Sequence, residues 1–163
     1  MRNRLIGVVL ATLVMTACGT PSCAQPKSSA THITCTDQTA PHHAYVIVEH
    51  TSGALLQACV GFDDAYIGGE TAMQRSGIQY RAETVGTARV VCQIDLEPAD
   101  ATGCAGRSQP RWVAFESSSG RWLQAGSSFV FLRIYDSEVI GWRYVPADVI
   151  TPAPPPLPHR LSS

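Results

Sequence analysis

Cysteine spacing constrains this chain more than any other feature. Cys18 and Cys23 stand just behind an apolar leader, and Cys35, Cys59, Cys92 and Cys104 are spread through the body of the chain. Cysteines exported behind a leader meet an oxidising compartment, so they read first as disulfides. Cys92 and Cys104 bracket a segment holding Pro98 and Gly103, a separation short enough to staple a loop. Cys35 precedes the first predicted strand and Cys59 ends the second. Four cysteines allow three pairings, of which Cys92–Cys104 and Cys35–Cys59 are favoured here. Each bridge would stabilise the fold by about 2–4 kcal/mol, mainly by restricting the unfolded chain. A metal centre is the competing reading. No Cys-x-x-Cys occurs, and no histidine stands at ligand spacing from another histidine or cysteine. No metal or cofactor is therefore expected.

The leader supplies an address. Arg2 and Arg4 form a positive start, and Leu5 to Met15 is an apolar run of signal-peptide length, too short for a comfortable transmembrane helix. It ends in Met15-Thr16-Ala17-Cys18-Gly19, which resembles a bacterial lipobox: residues 1–17 are removed and Cys18 carries the lipid. Acyl chains contribute about 0.8 kcal/mol per buried CH₂, so several hold a protein on a membrane. The expected location is the extracytoplasmic face of a bacterial cell membrane. The alternative is cleavage after Ala24, at the small-x-small site Ser22-Cys23-Ala24, which makes the protein secreted and removes Cys18 and Cys23.

Residues 18–40 read as a lipidated tether, rich in Ser, Thr, Pro and Ala and without hydrophobic period. Residues 150–163 read as a Pro-rich disordered tail of polyproline II character. The folded unit is then 41–149, small enough for disulfides to matter. Its signals are mostly strand: Ala44–Glu49 and Leu55–Phe62 around Thr51-Ser52-Gly53, then Gln79–Thr84, Arg89–Ile94, Trp112–Glu116, Arg121–Gln124, Phe129–Tyr135 and Val139–Tyr144. Thr71-Ala72-Met73-Gln74 fits a capping box and Gly77 a helix-ending glycine, which predicts one short helix over Ala72–Ser76. One helix on a mixed sheet makes an α+β domain.

Hydrophobic residues are 45% and charged residues 15%, a composition that folds. Without Arg2 and Arg4 the chain holds ten basic and thirteen acidic residues, so a global basic face for nucleic acid is excluded. Gly-x-Ser-x-Gly, His-Glu-x-x-His and a Gly-rich phosphate loop are all missing from the sequence, and no catalytic residue is assigned.

An ordered set of short strings carries a resemblance. Ala58-Cys59-Val60-Gly61-Phe62, Gly69 to Ile78, Val91-Cys92-Gln93-Ile94-Asp95, Gly103-Cys104, Arg111-Trp112-Val113-Ala114-Phe115, Gly120-Arg121-Trp122 and Gly141-Trp142-Arg143-Tyr144 together resemble the transcobalamin-like C-terminal domain family. The resemblance covers about residues 44–145. It implies a β-grasp-like fold, disulfide-stapled in this chain, that binds a soluble ligand without chemistry. In vitamin carriers of the family that ligand is a corrinoid, held from the other side by a helical barrel that this chain lacks. The sequence departs from the pattern at Arg111, Leu96 and Asp136–Ile140.

All three tryptophans and Tyr144 fall in the C-terminal half. Aromatic rings beside a guanidinium make a ligand platform of large contact area and low entropy cost. Trp112, Trp122, Arg121, Trp142 and Tyr144 are the candidate ligand residues, with Trp112 and Trp122 placed to face each other across a hairpin; core packing is the competing reading for each tryptophan. Arg111 and Arg143 alternate with tryptophans, so each points to the opposite face. Asp63, Asp64 and Asp95 are a weaker candidate, for calcium. The expected function is a lipid-anchored lipoprotein that binds a small soluble ligand or presents it to a transporter. The competing reading is a cell-surface module, or a secreted inhibitor, that engages an envelope protein through sheet edges or the Pro-rich tail.

Overall fold

The computed structural model describes residues 33–101, 103–104, 109–126 and 128–157. The leader, Cys18, Cys23 and most of the tether lie outside the described residues, as does the middle of the Gly103–Pro110 loop. Among the described residues no helix is long and apolar enough to cross a membrane.

Among the described residues ten strands and one α-helix follow in the order β1 (Cys35–Thr36), β2 (His42–Glu49), β3 (Leu55–Phe62), β4 (Ile67–Gly68), α1 (Gly69–Arg75), β5 (Tyr80–Val85), β6 (Ala88–Ile94), β7 (Arg111–Ser118), β8 (Arg121–Gln124), β9 (Arg133–Ile134) and β10 (Val139–Val145). Six of them make one sheet in the order β1-β3-β2-β10-β7-β8. Its centre is the parallel pair β2 and β10, flanked by the antiparallel hairpins β2–β3 and β7–β8. This is a β-grasp-like α+β arrangement: two hairpins joined through a pair of parallel central strands, with a helix across one face. The central strands read Ala-Tyr-Val-Ile-Val and Val-Ile-Gly-Trp rather than alternating cleanly, because both faces of the sheet are covered.

The inner face is covered by α1, by the β5–β6 hairpin and by a 3₁₀ turn at Phe129–Phe131. Val46, Val48, Val60, Ile140 and Trp142 from the sheet meet Met73, Ile94 and Phe129 there. The outer face carries a smaller cluster of Val113, Phe115 and Val145, with Trp122 and Val149 against it. Both disulfides form as favoured from the spacing, Cys35–Cys59 and Cys92–Cys104, with Cα atoms 4.3 and 4.4 Å apart. The first ties β1 to β3, and the second ties β6 to the loop that follows it.

Four expectations need correction. The folded unit begins before residue 41, since Cys35 and Thr36 pair with Cys59 and Val60. It also runs past residue 149: Pro152 and Pro155 are buried, so the segment 150–157 is packed rather than disordered. The helix starts at Gly69, and Thr71 caps nothing; Gly68 is the N-cap and has no side chain to offer. Gly69 lies so close to the Phe129 carbonyl that a side chain there would collide with it, which makes helix packing and not a capping box the determinant of that start. Lastly, Phe129–Tyr135 is not one strand. Its apolar run opens as the 3₁₀ turn, and only Arg133 and Ile134 pair, with Gly68 and Ile67. A short apolar run has no period to separate the two. Gly77 does end the helix, at φ +73°.

Candidate ligand cleft

Strand register decides which candidate residues can meet. Trp142 pairs with Ala114 and Tyr144 with Trp112, so these three aromatic residues share the inner face. Trp122 pairs with Ser117, an odd-numbered neighbour of Phe115, and therefore lies on the outer face. Trp112 and Trp122 do not face each other. Arg121 sits exposed beside the β7–β8 turn, where Ser119 and Gly120 both take positive φ. Arg111 and Arg143 send their guanidinium groups to the outer face, donating to the carbonyls of Val149 and Ala153. The expected aromatic platform is thus divided: Trp112, Trp142 and Tyr144 on one side, Trp122 on the other, and Arg121 with neither.

On the inner face a cleft of ≈ 300 Å³ opens between β6 and the free edge of β7, beyond the point where β8 leaves it. Trp112, Trp142 and Phe129 line it, with Arg89 and Ser128 at the β6 side. Trp142 and Phe129 pack edge to face at 5.3 Å. The backbone of Trp142 is paired on both sides within the sheet, so what reaches the cleft is its indole. Ser128 Oγ holds the opposite wall, accepting from Arg89 N–H at 3.0 Å and donating to the Arg89 carbonyl at 2.9 Å. The Arg89 guanidinium Nε is 2.7 Å from Glu70 Oε1, which anchors that wall to α1.

The two inner tryptophans differ in one respect. Trp112 is 5% exposed, and its indole N–H donates to the Glu97 carbonyl at 2.9 Å. Trp142 is 2% exposed, and its indole N–H has no partner among the described residues. A buried N–H without a partner forfeits about 1–3 kcal/mol, so native proteins rarely leave one unless something else supplies the acceptor. Trp112 is a core residue with a satisfied polar handle. Trp142 lines the cleft and carries a buried donor that the described residues leave unpaired.

Trp112 also closes a polar network at the end of the sheet. Its ring stands edge-on to His50 at 6.1 Å and beside Tyr144 at 5.3 Å. His50 Nδ1 is 2.7 Å from Glu97 Oε2, and its Nε2 is 3.6 Å from Asp95. Thr51 donates to Glu97 through both its amide and its hydroxyl. Burial, and then the Glu97 carboxylate, raise the Tyr144 phenol above its ordinary pKa. Burial and the Glu70 carboxylate do the same to Tyr80. This network ties the β2–β3 turn to the Asp95–Pro98 turn; it is a clasp.

Asp95 sits in that clasp, while Asp63 and Asp64 follow β3 at the other end of β2, so the proposed calcium trio is never assembled. Glu83, Cys92 and Cys104 do gather their ligand-type atoms within 4.8 Å. The two sulfurs are joined to each other, though, and the carboxylate already accepts from the Cys104 amide at 3.2 Å. A disulfide offers no thiolate, so the group holds a loop.

Three contributors to the cleft went unnoticed in the sequence: Phe129, Arg89 and Ser128. Phe129 lay in a run read as strand, and the other two are polar residues whose roles arise from tertiary packing. A separate exposed cluster, Tyr66 with Arg133 at 4.8 Å and Tyr135 at 6.0 Å, was equally silent.

No family model matches the sequence, and no curated protein does. A crystal structure from Ruminococcus gnavus ATCC 29149, described as "a putative metal binding protein", is similar with a TM-score of 0.44 and 16% identity, over 64% of this chain and 97% of that one.

Proposed function

We propose that this protein is an exported, lipid-anchored binding protein whose inner-face cleft holds a small soluble ligand without transforming it. The observation that carries the reading is the indole N–H of Trp142, buried at the cleft and unpartnered among the described residues. The ligand that fits is a small, largely apolar and planar molecule bearing one hydrogen-bond acceptor. Its body would stack against Trp142 and Phe129, and its acceptor would take the indole proton. A volume of ≈ 300 Å³ sits at the small end of the range for ligand sites, which argues for a single ring system and against a whole corrinoid. The anchor at Cys18 and presentation to a transporter rest on the leader sequence alone.

The experiment is a thermal-shift screen of the full chain in detergent against small aromatic acids, amides and ketones, followed by tryptophan fluorescence titration. A ligand at a hundred times its dissociation constant adds about 2.7 kcal/mol, a shift of several degrees for a domain of this size. Trp142→Phe keeps an aromatic face and removes the donor, so it should weaken the hit about tenfold; the smaller ring leaves a cavity that lowers the melting temperature, and binding is compared on the cooperatively folded variant well below it. A hit that binds Trp142→Phe equally well would remove the cleft from the proposal, and a flat screen on a cooperatively melting chain would sink it.

A further inference from the structure

The Pro-rich C-terminal segment is the motif that the inner cleft leaves unused, and it is seated on the outer face. Along residues 151–157 the buried positions are Pro152 and Pro155, with the rest exposed or half-buried. These two prolines are three residues apart. A polyproline II helix has three residues per turn, so every third side chain falls on one face. Beneath them Gly141 provides the floor: a Cβ there would meet Pro155 Cγ at 2.6 Å and Trp122 Cη2 at 2.7 Å. Trp122 and Phe115, edge to face at 6.4 Å, form the aromatic side. Arg143 Nη1 donates at 3.1 Å to the Ala153 carbonyl between the two prolines, and Glu49 Oε1 steadies the same guanidinium at 3.3 Å. Aromatic side, flat floor and a donor aimed at an exposed carbonyl are what a groove needs to recognise a proline-rich peptide.

We propose that the outer face is a binding groove for Pro-x-x-Pro segments, and that the same segment of a second copy of this chain is its exchangeable occupant. Every copy carries the sequence that fits. The stretch from Pro146 to Thr151 links that segment to β10, and six residues can extend to about 20 Å. Pro155 makes its contact through its ring and Ala153 through its backbone carbonyl, and neither contact depends on the covalent link. Exchange of an identical element between copies keeps the contacts of residues 152–155 and gives up only those of Val149 in the linker, its packing on the outer cluster and its hydrogen bonds with Arg111 and Pro146, which makes it a low-cost route to a dimer.

The test uses the full chain carrying Pro152→Ser and Pro155→Ser, titrated with a synthetic peptide of residues 150–160 and read by Trp122 fluorescence, with Trp122→Phe as the control. The peptide should bind saturably, one to one, and at least tenfold more tightly than to the wild-type chain, whose own segment competes. The peptide with serines at 152 and 155 should not bind. In parallel, two differently tagged wild-type populations are mixed above the dissociation constant of the peptide and should co-purify, with free peptide abolishing the association. Failure of the peptide to bind a cooperatively melting double variant overturns the groove. Peptide binding without co-purification overturns the second copy as occupant. If the double variant does not melt cooperatively, Arg143→Gln replaces it: cleavage after residue 150 by a nonspecific protease should quicken at least threefold, and unchanged rates overturn the groove.

Discussion

The two faces of the central sheet bury aromatic residues in opposite ways. On the inner face Trp112, Trp142 and Phe129 lie under a helix and a hairpin, in a core built from many elements. On the outer face Trp122 and Phe115 are covered by a strap of irregular chain, fastened by two arginine–carbonyl hydrogen bonds. The inner cover is held in place by the hydrogen-bonded β5–β6 hairpin and by the Cys92–Cys104 bridge. The outer cover has no strand partner. The difference teaches that buried aromatic residues on the two faces of one sheet can differ in local stability according to how their cover is tied down.

The largest effect that would break this comparison is expected from Trp142→Ala. It opens the inner core and should cost about 3–5 kcal/mol in denaturant unfolding, whereas Trp122→Ala, half-buried under the strap, should cost less than half of that. Equal losses would erase the distinction between the faces. Replacing both members of a disulfide by serine should cost about 2–4 kcal/mol. The Cys35–Cys59 loop spans 24 residues and Cys92–Cys104 spans 12, so chain entropy makes the first bridge worth more by about 0.6 kcal/mol.

Gly141→Ala should cost about 1–3 kcal/mol by overpacking, and its mark should be local. Cleavage around Ile150 and Thr151 by a nonspecific protease should quicken while the amides of α1 stay protected from hydrogen exchange; loss of protection in α1 as well would show that the strap and the inner layer unfold together. The smallest expected effect concerns pH. The phenols of Tyr144 and Tyr80 titrate above 10.0 in the folded chain because burial, reinforced by Glu97 and Glu70, opposes the charged form. Above pH 10 the unfolded chain loses these protons before the folded one does. Their contribution is therefore complete below pH 10 and is lost as pH climbs through the folded values. Melting temperature should fall in that range, and Tyr144→Phe should fall less steeply.

Much of this was legible in the chain. The hairpins at 44–62 and 111–124 follow from strand-forming runs around Gly53 and Gly120, and the disulfide pairing followed from where each cysteine stood relative to those strands. The divided tryptophans illustrate the limit. A tight turn at Ser119-Gly120 pairs Trp122 with Ser117, and Trp112 has the opposite parity to Ser117, so one residue of register decides the face. The strap was misjudged for a related reason. Proline excludes helix and ladder, which is visible in sequence, but not packing against a groove whose floor is a glycine in another strand.

Sequence alone determined what acts locally: the strand periods, the turns, the positions of the cysteines relative to the strands and the break that prolines impose. These depend on residues a few positions apart. The tertiary structure alone decided which side of the sheet each aromatic residue occupies, that Trp112 finds the Glu97 carbonyl while Trp142 finds no partner among the described residues, and that Pro152 and Pro155 are buried. Those outcomes depend on register and on contacts between separate segments, such as Trp112 with Glu97, 15 residues away, which no local preference encodes.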